Sequence, residues 1–195
     1  MKDFLKKNLN IPNILSLIRL LMIPVFLVLF HSGLKYQSLA VFLLACLTDL
    51  FDGLIARKYN QITDLGKLMD PLADKLMILT VMFSMVLGNQ YIQPVIPLSA
   101  VIVLLCKELF MMLGGLLMLK EGIVVYSFFI GKLAHCLFIA ALAASFFHEW
   151  FVRVCVGWPM TPDLMLVWLA VLCALSALAF YVTDSVQKVL KKKRA

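Results

Sequence analysis

Five of the eight aspartates in this 195-residue chain, Asp49, Asp52, Asp64, Asp70 and Asp74, fall within 26 consecutive positions. Asp49 and Asp52 are three residues apart and Asp70 and Asp74 four, so each pair shares one face of a helix. If the two helices pack antiparallel, as the short connection between them requires, four carboxylates converge on one spot. Unpaired, they repel one another, and the neighbouring cations Arg57, Lys67 and Lys75 are too few and too outward to neutralise them all. Divalent metal answers this problem. A site of oxygen donors alone suits Mg²⁺ or Mn²⁺, and two such ions side by side are the usual apparatus of phosphoryl chemistry. Gly53 and Ala56 bring no bulk beside Asp52, which lets a ligand or a neighbouring helix approach closely.

The elements that must carry these acids are membrane helices. Hydrophobic residues make up 63% of the chain and charged residues 15%, against about 45–50% and about 25% in a soluble domain. A soluble fold could not clothe its surface with so few charges, and the disordered, collagen-like and disulfide-scaffold classes fail on the same count. A span needs about 20 apolar residues, and six such stretches occur, near 14–30, 36–55, 70–88, 97–119, 128–147 and 163–187. The expected fold is therefore an all-α integral membrane protein with six transmembrane helices, in a single domain over 1–195 without linker or repeat. Residues 1–12 are expected to form a short amphipathic surface helix on an anionic leaflet, and 188–195 a basic tail. Thr161-Pro162-Asp163 reads as the start of the last span, with a capping hydroxyl and proline in the first turn. The five cysteines show no paired spacing and read as buried free thiols.

The net charge of +7 would fit a nucleic-acid binder in a polar chain. Here it sets orientation instead. Twelve lysines and arginines lie in the N-terminal segment, the breaks after spans two and four and the tail, while the opposite loops hold only Lys35 and Arg153. The positive-inside rule places both termini and the acidic cluster at the cytoplasmic face, with no nucleic-acid partner required. Trp150 and Trp158, near the opposite face, fit an aromatic belt. A carboxylate at membrane depth costs about 2.5–3.5 kcal/mol on insertion scales, so such acids face a cavity, a partner or an ion. A divalent-cation transporter would also bury acids, but a transport path needs polar groups through the full depth, and the outer halves of spans two and three hold only scattered hydroxyls and amides.

The pattern Asp49-x2-Asp52-Gly53-x2-Ala56-Arg57-x8-Gly66-x3-Asp70-x3-Asp74 resembles the motif of the CDP-alcohol phosphotransferases at all eight of its defined positions. Asn10-Ile11-Pro12-Asn13 leading to Arg19, the run from Gly66 to Leu76, and Gly131-Lys132 are similar to the phosphatidylglycerophosphate synthase branch. The resemblance covers essentially the whole chain. It implies a homodimer of six-span protomers in which Asp49, Asp52 and Asp70, with Asp74 alongside, bind two divalent cations, Mg²⁺ or Mn²⁺. It further implies that Asp74 acts as general base, and that Asp49, Gly53, Ala56, Arg57 and Gly66 hold the cytidine diphosphate of CDP-diacylglycerol. The implied reaction transfers a phosphatidyl group to glycerol 3-phosphate and releases CMP.

Acceptor choice should be written in cations. Arg19, Lys107 and Lys132 are cations within the spans, and each either binds an anionic acceptor or is neutralised by a neighbour such as Glu108. His135 shares a helix face with Lys132. By the resemblance, the nearest branch carries arginine at Lys107, arginine at Gly115 and lysine at Ala134. Glycine at 115, after Gly114, is more similar to cardiolipin synthases that use CDP-diacylglycerol and phosphatidylglycerol, so that acceptor stays open beside glycerol 3-phosphate.

Overall fold

Each apolar stretch folds into a helix whose bounds lie close to the expected ones. The structure, a computed structural model, describes the backbone of residues 11–59, 64–120 and 129–194, and the side chains of 13–49, 69, 72–115, 117–118 and 130–189. Among the described residues the helices are α1 Ile11–His31, α2 Lys35–Tyr59, α3 Asp64–Leu87, α4 Leu98–Lys120, α5 Phe129–Ser145, α6 His148–Val154 and α7 Pro162–Arg194. The expected surface helix over 1–12 lies outside these residues, apart from Ile11 and Pro12, which open α1.

Among the described residues, three stretches are long and apolar enough to cross a membrane, Asn13–His31, Leu98–Gly115 and Pro162–Val189, and α5 with α6 makes a fourth if their 75° bend lies within one span. Six were expected. Helices α2 and α3 have the length, 25 and 24 residues, but each carries a pair of the clustered acids near one end. The basic tail is not a separate segment; α7 continues through it to Arg194.

The chain divides into two compact units, 1–94 and 95–195. In the first, α1 packs on both α2 and α3. The turn from α1 to α2 places Gly33 at φ 76°, and a Cβ there would stand 2.9 Å from the Tyr91 ring, so both conformation and space require glycine. Phe26, Phe30, Phe42, Val81 and Met85 are fully buried and form the core. Asn89 ties the far end together: its Nδ2 donates to the Phe30 carbonyl at 2.7 Å, while its Oδ1 accepts from the backbone N–H groups of Tyr91 and Ile92, each at 2.8 Å. Because that bond joins the C-terminal ends of α1 and α3, these two helices run in the same direction. Pro24 interrupts the hydrogen-bond ladder of α1 between this end and Arg19.

In the second unit α7 packs chiefly on α5 and also on α4. Its buried positions, Val167, Ala170, Val171, Ala174, Ala177 and Tyr181, follow helical spacing and face Ala134, Phe138, Ala141 and Leu142 of α5. The many alanines allow close approach of the two backbones. Helix α7 begins at Pro162 as expected, with the Met165 N–H donating to the Thr161 carbonyl at 3.0 Å. The Thr161 hydroxyl does not cap it, being buried without a hydrogen-bond partner among the described residues. Asp163, fully buried, instead pairs with His148 Nδ1 at 2.8 Å and fastens α6 to the start of α7. No cysteine is paired, but Cys106 and Cys136 are exposed rather than buried. An apolar run in a membrane helix has an outward face as greasy as its inward one, so sequence alone did not tell them apart.

Candidate active site

The acidic positions belong to the first unit. Helix α2 carries Asp49 and Asp52 near its C-terminal end, and α3 carries Asp64, Asp70 and Asp74 in its first half. Asp52, Gly53, Ala56, Arg57, Asp64, Gly66 and Asp70 lie on these helices at the expected register, but their side chains are outside the described ones. Asp49 and Asp74 are described, and both are half-buried.

Arg19 of α1 reaches this cluster. Its Nη1 donates to Asp49 Oδ1 at 2.7 Å, and its side chain is 1% exposed. A guanidinium so deeply buried needs a partner, and a carboxylate held at one oxygen is fixed in orientation while the other stays available. The Asp49 side chain is 39% exposed, so its carboxylate is not sealed off by the arginine. Cys46, about one turn before Asp49 on α2, lies within electrostatic reach of Asp49, Asp74 and Arg19 together. One charged side chain from each of the three helices thus acts on Cys46.

Two buried polar residues of α1 were not among the expected site residues. Asn13 is 6% exposed and Ser16 is fully buried. With Arg19 they recur at every third position, so α1 turns a continuous polar edge inward over its first half. The signal was present in the sequence as polar residues at helical spacing in an otherwise apolar run.

Beyond Asp74 the seam between α1 and α3 widens into a cavity of about 350 Å³, lined by Leu27, Phe30, Leu76, Leu79, Phe83 and Leu87 among others. Its lining starts at Leu76, half a turn past Asp74, and is mostly apolar.

Of the expected acceptor residues, Arg19 is placed against Asp49. Lys107, on α4, donates to Glu108 Oε1 at 2.6 Å. Lys132 and His135 are exposed on α5, with Ala134 buried between them. Among the described residues no three acidic, histidine or cysteine side chains come together to hold a metal. The described donor set still fits one: Asp49 offers an oriented, partly exposed carboxylate and Asp74 a second within electrostatic reach of the same Cys46, both hard donors.

The sequence profile of the CDP-alcohol phosphatidyltransferase family matches residues 9–176. The chain is 37% identical over 145 residues, 71% of its length, to a "Probable phosphatidylglycerophosphate synthase" of Mycobacterium tuberculosis, of which the match spans 65%. It is 46% identical over 74 residues to a "CDP-diacylglycerol--glycerol-3-phosphate 3-phosphatidyltransferase" of Wigglesworthia glossinidia brevipalpis, covering 36% of this chain and 41% of that one. It is 47% identical over 72 residues to the protein of the same description in Rickettsia typhi, covering 35% and 40%.

Proposed function

Since the chain belongs to the CDP-alcohol phosphatidyltransferase family, we propose that it transfers a phosphatidyl group from CDP-diacylglycerol to glycerol 3-phosphate and releases CMP. The observation that supports this reading is the Arg19–Asp49 pair, which holds a carboxylate of the acidic motif in fixed orientation, with Asp74 within electrostatic reach of the same Cys46. Asp49, Asp52 and Asp70 hold two divalent cations, Mg²⁺ or Mn²⁺, with Asp74 beside them. Those cations, when bound, supply positive charge to the pyrophosphate oxygens and lower the pKa of the attacking alcohol.

The remaining work falls to the chain. Gly53, Ala56, Arg57 and Gly66 receive the cytidine and its phosphates, and the apolar cavity that begins past Asp74 suits an acyl chain of the donor. Asp74 takes the proton of the acceptor hydroxyl as its oxygen attacks the lipid-side phosphorus. The bond from that phosphorus to the bridging oxygen breaks, and CMP leaves with the bridging oxygen. A carboxylate is a weak base toward an alcohol, so positioning carries much of the rate. Lys107, Lys132 and His135 contribute to acceptor binding, while Arg19 acts by holding Asp49. The assembly is a six-span homodimer with both termini and the acids at the cytoplasmic face, its basic rim on anionic lipid.

Phosphatidylglycerol as acceptor is favoured by one observation. Ala134 is 4% exposed and Gly115 faces the Tyr181 hydroxyl, so neither place holds a cation for a second phosphate charge. Purified protein given CDP-diacylglycerol and Mn²⁺ should release CMP when glycerol 3-phosphate is added. Release with phosphatidylglycerol alone would replace the first acceptor by the second, and no release with any alcohol would end the transferase reading.

A further inference from the structure

Helix α6 differs from the other described helices in that none of its residues is buried. It follows α5 after a bend of 75°, made where the N–H groups of Phe146 and Phe147 donate to the Ala143 and Ala144 carbonyls at 3.3 and 2.8 Å in a tightened turn. At about 1.5 Å per residue α6 is about 10 Å long, and at that angle it advances only about 3 Å along the direction of α5. As a continuation of α5 across a membrane it would add almost nothing. Helix α5 alone has 17 residues, within the range of about 17–25 that a span needs.

The residues of α6 are sorted by face. At about 100° per residue, Trp150, Phe151 and Val154 fall within one arc, while Glu149 and Arg153, four apart, fall within another. Trp150 is 57% exposed and Val154 59%, and the Trp150 and Phe151 rings meet edge to face with centroids 5.2 Å apart. An exposed apolar face with aromatic residues beside a charged one is the pattern of a helix that lies in a membrane interface. A helix crossing hydrocarbon would carry Glu149 and Arg153 into lipid at high cost.

Helix α7 gives the depth. Asp163 and Asp184 are 21 residues apart, about 32 Å along the axis, and the twenty residues between them are uncharged. That length matches the hydrocarbon thickness of about 30 Å. Both acids are ion-paired, Asp163 with His148 and Asp184 with Lys188, each at 2.8 Å, so the two pairs bracket the apolar layer. His148 is the first residue of α6. Its bond to Asp163 therefore holds the start of α6 at one boundary of that layer, and the bend turns the helix along the boundary instead of through it. With α5 tilted by about 20° from the membrane normal, α6 lies within about 35° of the membrane plane. The chain returns through Gly157, at φ 90°, and Val156 and Trp158 on either side of it are also exposed.

We infer that α6 is an interfacial anchor. It lies in the interface of the leaflet opposite the basic end of α7, with Trp150, Phe151 and Val154 seated at the acyl boundary and Glu149 and Arg153 in the headgroup layer. The partner surface is the phospholipid bilayer. Arg153 suits the lipid phosphates there, and the His148–Asp163 pair, by holding α6 at that depth, fixes how far α5 and α7 sit in the membrane. The placement needs neither substrate nor metal, so it stands or falls independently of the transferase reading.

The test places the full-length protein in phosphatidylcholine vesicles and reads the depth of its tryptophans. The chain has three, Trp150, Trp158 and Trp168, so replacing two at a time by phenylalanine leaves one reporter. Nitroxide lipids labelled at the fifth or the twelfth acyl carbon quench shallow or deep indoles respectively. Trp150 and Trp158 should each be quenched about twofold more by the shallow label, and Trp168, more than one turn into the span, more by the deep one. In a chain without the native tryptophans, Arg153→Trp should be quenched by aqueous iodide several-fold more than Trp150 is. Stronger quenching of Trp150 by the deep label would make α5 and α6 one broken span. Equal access of iodide to both positions would lift α6 off the bilayer. Quenching of Trp150 by neither lipid label nor iodide would put a protein partner over it. Each of these three results overturns the placement.

Discussion

Arg19 and Asp49, thirty residues apart in sequence and on different helices, meet at 2.7 Å with the arginine side chain only 1% exposed. The pair costs desolvation that hydrophobic residues would not. What it gains is a carboxylate held at one oxygen, the usual arrangement behind a metal ligand.

Arg19→Ala should therefore weaken the apparent affinity for Mn²⁺ by about 10- to 100-fold, the range typical for loss of a group that orients a ligand. Titrating CMP release with Mn²⁺ would show this as a shift of the midpoint. Arg19→Lys keeps the charge without the planar fork and should fall between. An unchanged midpoint in a correctly assembled Arg19→Ala protein would detach the arginine from metal binding.

Asp74→Asn keeps size and removes the base. CMP release should drop by about 10²- to 10⁴-fold, the span expected for a positioned general base, while CDP-diacylglycerol still protects the protein from thermal unfolding. Asp70→Asn should abolish release as well, and excess Mn²⁺ should fail to restore it. Full activity in either variant would sink the assignments of both acids.

How much of this was legible beforehand differs by level. The acids were read from type and spacing alone, because charge is scarce in this chain and its position on a helix follows from counting. The helices expected near 97–119 and 163–187 were equally plain, since nothing but a helix satisfies the backbone of so long an apolar run, although the second runs on to Arg194. Arg19 could be seen as a costly buried cation, but counting along one helix does not tell which of several carboxylates it meets. Asn13 was read only as part of a motif and Ser16 not at all, although both carried the same periodic signal, because uncharged polar residues are tolerated singly in membrane helices. The idle hydroxyl of Thr161 shows the reverse failure: a sequence that fits a capping pattern need not use it when Asp163 has a better partner in His148.

That His148–Asp163 pair gives a stability prediction free of catalysis. His148→Ala leaves a fully buried carboxylate without its partner and should cost about 3–5 kcal/mol. Replacing both, as His148→Phe with Asp163→Leu, should cost less than the single change. Thermal unfolding in detergent reads both; a double variant weaker than the single one would mean that the pair contributes more than mutual satisfaction of two polar groups.

Asn89→Ala removes three hydrogen bonds at once and exposes the Phe30 carbonyl to a loss it cannot recover locally. The expected cost is about 1–3 kcal/mol, seen as a lowered Tm. Asn89→Asp, which keeps the acceptor oxygen but not the donor, should lose part of this. A Tm unchanged in the alanine variant would show that packing, not Asn89, holds the two helix ends.

Asn89 has a mechanical meaning as well. It acts as a fulcrum for α1 and α3, fastening them at the end remote from the acids. From Leu87 back to Asp74 is about 20 Å of helix and from Phe30 back to Arg19 about 16 Å, so the charged groups ride on long lever arms. A tilt of about three degrees at the fulcrum displaces Asp74 by about 1 Å, enough to cost a reaction roughly a hundredfold in rate. Pro24, between fulcrum and Arg19, is where α1 can flex without disturbing the anchor.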